Sequence, residues 1–185
     1  MVDLLALDRA AVEINLALYD NLAPDDFDRT TPCAGWTVRD LLRHQVESSL
    51  DFVAGAHRTT PRPFDEDDLV AEFHRAAAEV ADAFGAAGML DREADFPGLT
   101  AMPGNRLVAA HFVDNLVHSW DLRRALGVDA TLDEDLAGPA YRMALKYPYT
   151  PEVRGPGAFF AHPVPVLDTA PLTDRLVGLL GRDPS

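Results

Sequence analysis

A chain of 185 residues, 48% hydrophobic and 25% charged, is long enough to close a core without disulfides. With 16 basic against 30 acidic residues the formal charge is −14, and no Lys/Arg cluster offsets it, which argues against nucleic acid and anionic membranes as partners. Cys33 stands alone, so an intrachain disulfide is excluded; no apolar run approaches the ~20 residues of a membrane span, and the opening MVDLLALDRAA lacks a signal peptide's basic and apolar regions. A soluble, cytoplasmic protein is the expectation.

In chain order, Leu4, Leu7, Ala11, Ile14, Leu18 and Leu22 recur at helical spacing, predicting a first helix that ends before Pro24. The stretch GWTVRDLLRHQVESSLDFVAGA begins a second: Thr37 is placed to cap it, Asp40 to complete a capping box and Trp36 to staple onto Leu41. After TTPRPF, a third helix is predicted from about Asp65 to Phe84. Acidic residues suit its start, and Leu69, Phe73, Ala76, Val80 and Phe84 form one stripe. The connection GMLDREADFPGLTAMPGN has room for a short extended piece before a fourth helix, capped by Asn105 and stopped by Gly127. A weaker helix around Asp133–Tyr147 contains Pro139, a Pro- and Gly-rich stretch wraps onward as a loop, and a final short helix runs from Leu172 to Leu180. Four long helices predict a bundle.

The fourth helix carries HFVDNLVHSWDL. At 100° per residue His111, Asp114, His118 and Asp121 fall within an arc of roughly 80°, while Val108, Phe112, Val113, Leu116, Val117 and Trp120 fill the other directions. A helix so apolar is central, and ionisable groups persist there only with partners or a metal. Asp114 and His118 lie one turn apart, so their side chains can converge on one ion. His44, flanking the apolar stripe of the second helix, is the best third donor. Three N and O ligands leave a position open for water or substrate, as at a catalytic zinc; nickel, iron and manganese suit the same donors.

The residues alone leave a second reading open: His44 and His118 as separate core histidines, with Asp114 capping or pairing with an arginine. His111 is a candidate fourth ligand. Asp121 is a candidate support for a ligand imidazole, although pairing with Arg124 or Arg106 is preferred. Glu47, one turn after His44, is a candidate general base or a solvated carboxylate. Cys33 reads as a small packing residue with no histidine beside it, and His57, His74 and His162 carry no pattern. Trp36 and Trp120 read as structural, and Phe159 and Phe160 as anchors of the loop or lining of a pocket mouth.

TPCAGWTVRDLLRHQV, DNLVHSWDLRRALG and PLTDRLVGLLGRDP together resemble the actinobacterial proteins grouped with mycothiol-dependent maleylpyruvate isomerase, within the DinB-like superfamily of metal-binding four-helix bundles. The resemblance covers nearly the whole chain. It implies an all-α fold: one DinB-like domain over 1–185, with the bundle at about 1–127 and an irregular Pro-rich extension with a short terminal helix at 128–185. It implies one divalent metal, held by a histidine of the second helix and an acid-x-x-x-His pair, which fall on His44, Asp114 and His118. Zinc is the first expectation. The isomerase branch uses Glu where this chain has Asp114 and carries a separate C-terminal domain with no clear counterpart here, so its thiol- and substrate-contacting residues are not carried over. The implied function is a metal-dependent mycothiol transferase or isomerase acting on a small electrophile. The alternative is a non-catalytic, metal-stabilised bundle. Partners are then a small molecule or low-molecular-weight thiol, with a homodimer left open.

Overall fold

The structure is a computed structural model and describes residues 3–96 and 101–185. Helix α1, Leu4–Tyr19, starts where the Asp3 carboxylate accepts from Ala6 N at 3.2 Å, and it stops short of Leu22 because Pro24 opens a separate 3-10 turn, Pro24–Asp28. Its buried residues are Asp8, Ala11, Val12, Asn15 and Tyr19, so the inward face is rotated from the leucine stripe that the sequence suggests. Polar residues can occupy that face because each meets a partner: Asp8 meets His111, Asn15 donates to the Asn115 carbonyl at 2.8 Å, and the Tyr19 hydroxyl donates to Gln45.

Helix α2, Val38–His57, begins with the predicted reciprocal cap: Thr37 Oγ1 accepts from Asp40 N at 3.2 Å and Asp40 Oδ2 from Thr37 N at 2.9 Å. Helix α3, Leu69–Gly85, starts later than the acidic run, since Asp68 supplies its cap and Asp65 N turns back to donate to Glu72 at 3.0 Å. Its five predicted apolar positions are all buried. The expected extended piece is a two-residue antiparallel ribbon, β1 Glu93–Ala94 with β2 Met102–Pro103; residues 97–100 of that connection lie outside the described residues. The ribbon lies against the ends of α2 and α4, where a Cβ on Gly55 would strike the Asp95 carbonyl and one on Gly104 the Met89 carbonyl. Glycine is required at both contacts.

Helix α4, Gly104–Leu126, is 23 residues long. Asn105 does not cap it: the helix has already begun, and the amides of Gly104 and Asn105 donate to the carbonyls of Arg92 and Leu90 at 2.8 and 2.9 Å. Backbone from the ribbon thus satisfies donors that a side chain otherwise would. Gly127, with φ 70°, ends the helix as predicted. Helix α5, Glu134–Ala144, is capped by Asp133 and carries Pro139 within it; α6 spans Leu172–Leu179.

Helix α1 packs chiefly on α4 and α2 chiefly on α3, with α2–α4 and α1–α3 contacts closing a four-helix bundle; α5 packs on α4 and α6. Phe112, Leu116 and Val117 of α4 meet Ala137 and Ala140 of α5 and Leu176 and Leu180 at the end of the chain, while Leu107 and Val108 pack toward Phe52 and Phe84. Helix α4 is therefore surrounded, as its composition requires. The stretch between α5 and α6 is held down by Val164 N donating to Gly178 O at 2.9 Å, by Arg154 donating to Leu179 O at 2.6 Å and by Phe160 stacked on Tyr147. Phe159 stays half exposed with its ring edge on Phe96. Among the described residues no helix is long and apolar enough to cross a membrane.

Candidate metal centre

The four ionisable side chains on one face of α4 part company toward three different partners. His111 turns to α1, its Nδ1 2.7 Å from Asp8 Oδ1, and its Nε2 lies 3.1 Å from the Asn115 side-chain nitrogen. With Asn115 donating to Nε2, the Nδ1–H donates to Asp8, and both ring nitrogens are engaged. His111 is therefore not a fourth ligand; the turn toward α1 was hidden because Asp8 lies on a face the leucines do not mark. Asn115 continues the network by accepting from Gln45 of α2 at 3.3 Å.

Asp114 and His118 turn instead toward α2. One ligand atom from each of His44, Asp114 and His118 lies within 4.8 Å of the others, spacing that suits convergence on one ion. The His44 and His118 rings stand 5.0 Å apart, edge to face, and His118 Nε2 is 3.4 Å from Asp114 Oδ1. Trp36, beyond stapling α2, lays its ring 4.9 Å from that of His44. Ser48, one turn after His44, donates from Oγ to Asp114 Oδ2 at 3.3 Å and orients the carboxylate.

Charge in this cluster is strongly shared. Burial and the neighbouring His118 lower His44 to a pKa of about 4, leaving its imidazole neutral with a free lone pair. Burial opposes charge on His118 and Asp114 too, but each stabilises the other: His118 is raised well above the usual histidine range, and Asp114 is held below the usual carboxylate range. Across the 3.4 Å contact from His118 Nε2 to Asp114 Oδ1, each group therefore favours the other's charged form. The set of two nitrogens and one carboxylate oxygen fits zinc and equally nickel, iron or manganese.

Asp121 does not pair with Arg124 or Arg106. Its fully buried carboxylate accepts from His118 Nδ1 at 2.9 Å and takes Arg182 on both oxygens, Nη2 at 2.8 Å and Nε at 3.3 Å. Cys33, read from sequence as a packing residue away from any histidine, donates from Sγ to the same carboxylate at 3.3 Å and forms a second candidate cluster with His118 and Asp121. The sequence reading missed Arg182 because 61 residues separate it from Asp121. It missed Ser48, although the four-residue step from His44 was available as a signal. It also missed Tyr147, whose phenol is raised by burial and then by the Asp114 carboxylate. Glu47 is exposed, as are His57 and His162, while His74 pairs with Asp20 at 2.7 Å on the surface. Trp120 is buried under the guanidinium of Arg124, on the side facing α5 and α6.

Residues 9–123, which hold all three candidate ligands, match the family model described as the mycothiol maleylpyruvate isomerase N-terminal domain. The chain belongs to this family. Two uncharacterized proteins of Mycobacterium tuberculosis, from strains CDC 1551 / Oshkosh and ATCC 25618 / H37Rv, are each 33% identical over 182 residues, 98% of this chain and 98% of theirs. The crystal structure of the mycothiol-dependent maleylpyruvate isomerase is similar with a TM-score of 0.64 at 17% identity, covering 77% of this chain and 68% of that one. A histidine-to-alanine mutant of that enzyme matches with the same TM-score at 16% identity. The mycothiol maleylpyruvate isomerase-like chain is thus all-α with the DinB-like bundle.

Proposed function

We propose that the protein binds one divalent cation, zinc first, through His44, Asp114 and His118, and that it is a cytoplasmic, mycothiol-using transferase or isomerase acting on a small electrophile. The observation that carries this reading is the convergence of three donor atoms from two helices within 4.8 Å. Support comes from the family and from the isomerase whose fold the chain shares. When bound, such a cation supplies Lewis acidity toward a thiol or a water.

The chain's own residues divide the remaining work. His44 offers a neutral imidazole, Ser48 fixes the Asp114 carboxylate, and Asp121 accepts the Nδ1–H of His118 so that Nε2 faces Asp114. To hold a cation, Nε2 would have to be free of its proton, so affinity would fall as pH falls. Trp36 borders the cluster with its ring against His44. The bundle of about residues 1–127 and the extension of 128–185 act as one unit in this reading.

A second reading is a non-catalytic, metal-stabilised bundle. What favours it is that the fold match covers only 68% of the isomerase chain; fold shared with an enzyme does not confer its chemistry. Elemental analysis of untagged protein is expected to find near-stoichiometric metal in the parent and none in His44→Ala or His118→Ala. Metal retained in both variants would falsify the site. For the reaction, the protein is expected to accelerate loss of mycothiol with at least one member of a broad panel of electrophiles. No protein-dependent loss across the panel selects the metal-stabilised reading.

A further inference from the structure

The carboxylate of Asp121 is the most enclosed charge on the polar face of α4, its side chain 0% exposed, and it serves three donors at once: His118, Arg182 and Cys33. Its contact with His118 is the one that bears on a cation. By accepting Nδ1–H it leaves Nε2 as the nitrogen turned toward Asp114 and His44, and it fixes the plane of the ring. Arg182 grips the carboxylate side-on through Nε and Nη2, a planar fork that matches both oxygens and sets their orientation. The arginine is itself immobilised. Its amide donates to Val177 O at 2.9 Å and its Nη1 to Leu180 O at 2.9 Å, just after Gly181 turns the chain with φ 86° against Ala161.

We propose that Asp121 and Arg182 are positioning residues of the metal centre, so that the last turn of the chain, beyond the family-matched residues 9–123, helps to set cation affinity. The proposal rests on the metal reading above. Neither residue touches the cation; Asp121 acts through His118, and Arg182 acts through Asp121. A merely structural ion pair, pinning the C-terminal segment to α4, would stabilise the fold and leave the cation's surroundings unchanged.

The test measures zinc affinity of the full-length protein by competition with a chromophoric chelator, for the parent, Asp121→Asn, Arg182→Met and Arg182→Lys. Cobalt(II) absorption spectra of the same proteins report the ligand field. Asp121→Asn and Arg182→Met are expected to weaken zinc by about 10- to 100-fold and to shift the cobalt bands. Arg182→Lys is expected to fall between them and the parent, since an ammonium keeps the charge and loses the fork. Parent-like affinity and spectra in all three, with only a lower melting temperature, would overturn the proposal and leave the metal reading standing. If the parent takes up no zinc, both fall together. Should the variants fail to fold, the zinc-loaded parent still decides: a slowly exchanging downfield Nδ1 proton of His118, bonded to Asp121, is expected in its NMR spectrum, and a rapidly exchanging one overturns the proposal.

Discussion

Asn115 shows how single side chains make the centre of this bundle specific. Its carbonyl oxygens take Asn15 of α1 and Gln45 of α2, and its amide nitrogen reaches His111. A buried group left without its partner loses the full value of its hydration. Asn115→Ala strands the Gln45 amide and the His111 ring together, and is expected to cost about 2–3 kcal/mol in urea unfolding, more than an exposed asparagine would. At this scale helical spacing put Asp114 and His118 on one face of α4 and made His44 the best third donor, and the structure brings the three within 4.8 Å. The partners that hold them were not legible, because Ser48, Asp121 and Arg182 matter through direction and distance rather than through a local pattern.

At the scale of elements, apolar periods placed every long helix, while the cap of α4, the start of α3 and the inward face of α1 were misread. Asp8, Asn15 and Tyr19 occupy the same stripe as Ala11 and Val12, a signal that hydrophobicity counting discards. The start of α3 turns on Glu72. Its side chain is only 5% exposed, and the carboxylate accepts from Arg75 at 2.6 Å, from Arg62 at 3.0 Å and from Asp65 N as well. Those bonds, that from Arg75 first, hold it at about 2, below the ordinary glutamate range. The folded protein therefore binds this proton more weakly than the unfolded chain does. The stability it lends is present above the unfolded pKa of ~4.3 and drains away as pH drops from there toward about 2. In urea midpoints measured across that window, the parent is expected to lose more stability on acidification than Glu72→Gln, which should be weaker at neutral pH and flatter below it.

For the whole molecule, cation binding at the proposed site would be linked to the fold. A group of ligands drawn from α2 and α4 has no counterpart in the unfolded chain, so a cation that binds there stabilises the bundle by mass action. At a free concentration of about a hundred times Kd, zinc is expected to raise the melting temperature by roughly 5–10 °C. The shift should vanish in His118→Ala, and chelation should reverse it in the parent. An equal shift in both proteins would assign the stabilisation to some other group of donors.

What the sequence determined by itself is the helical period, the caps at Thr37 and Gly127, the enclosure of α4 and the shared face of its ionisable side chains. Each of these depends on interactions within a turn or two, which neighbouring residues specify. Only the tertiary structure decided which way each polar group on α4 faces, with His111 given to Asp8, Asp114 and His118 to His44, and Asp121 to an arginine near the end of the chain. Those choices are made by helices packing across the bundle, where partners far apart in sequence compete for the same buried charge.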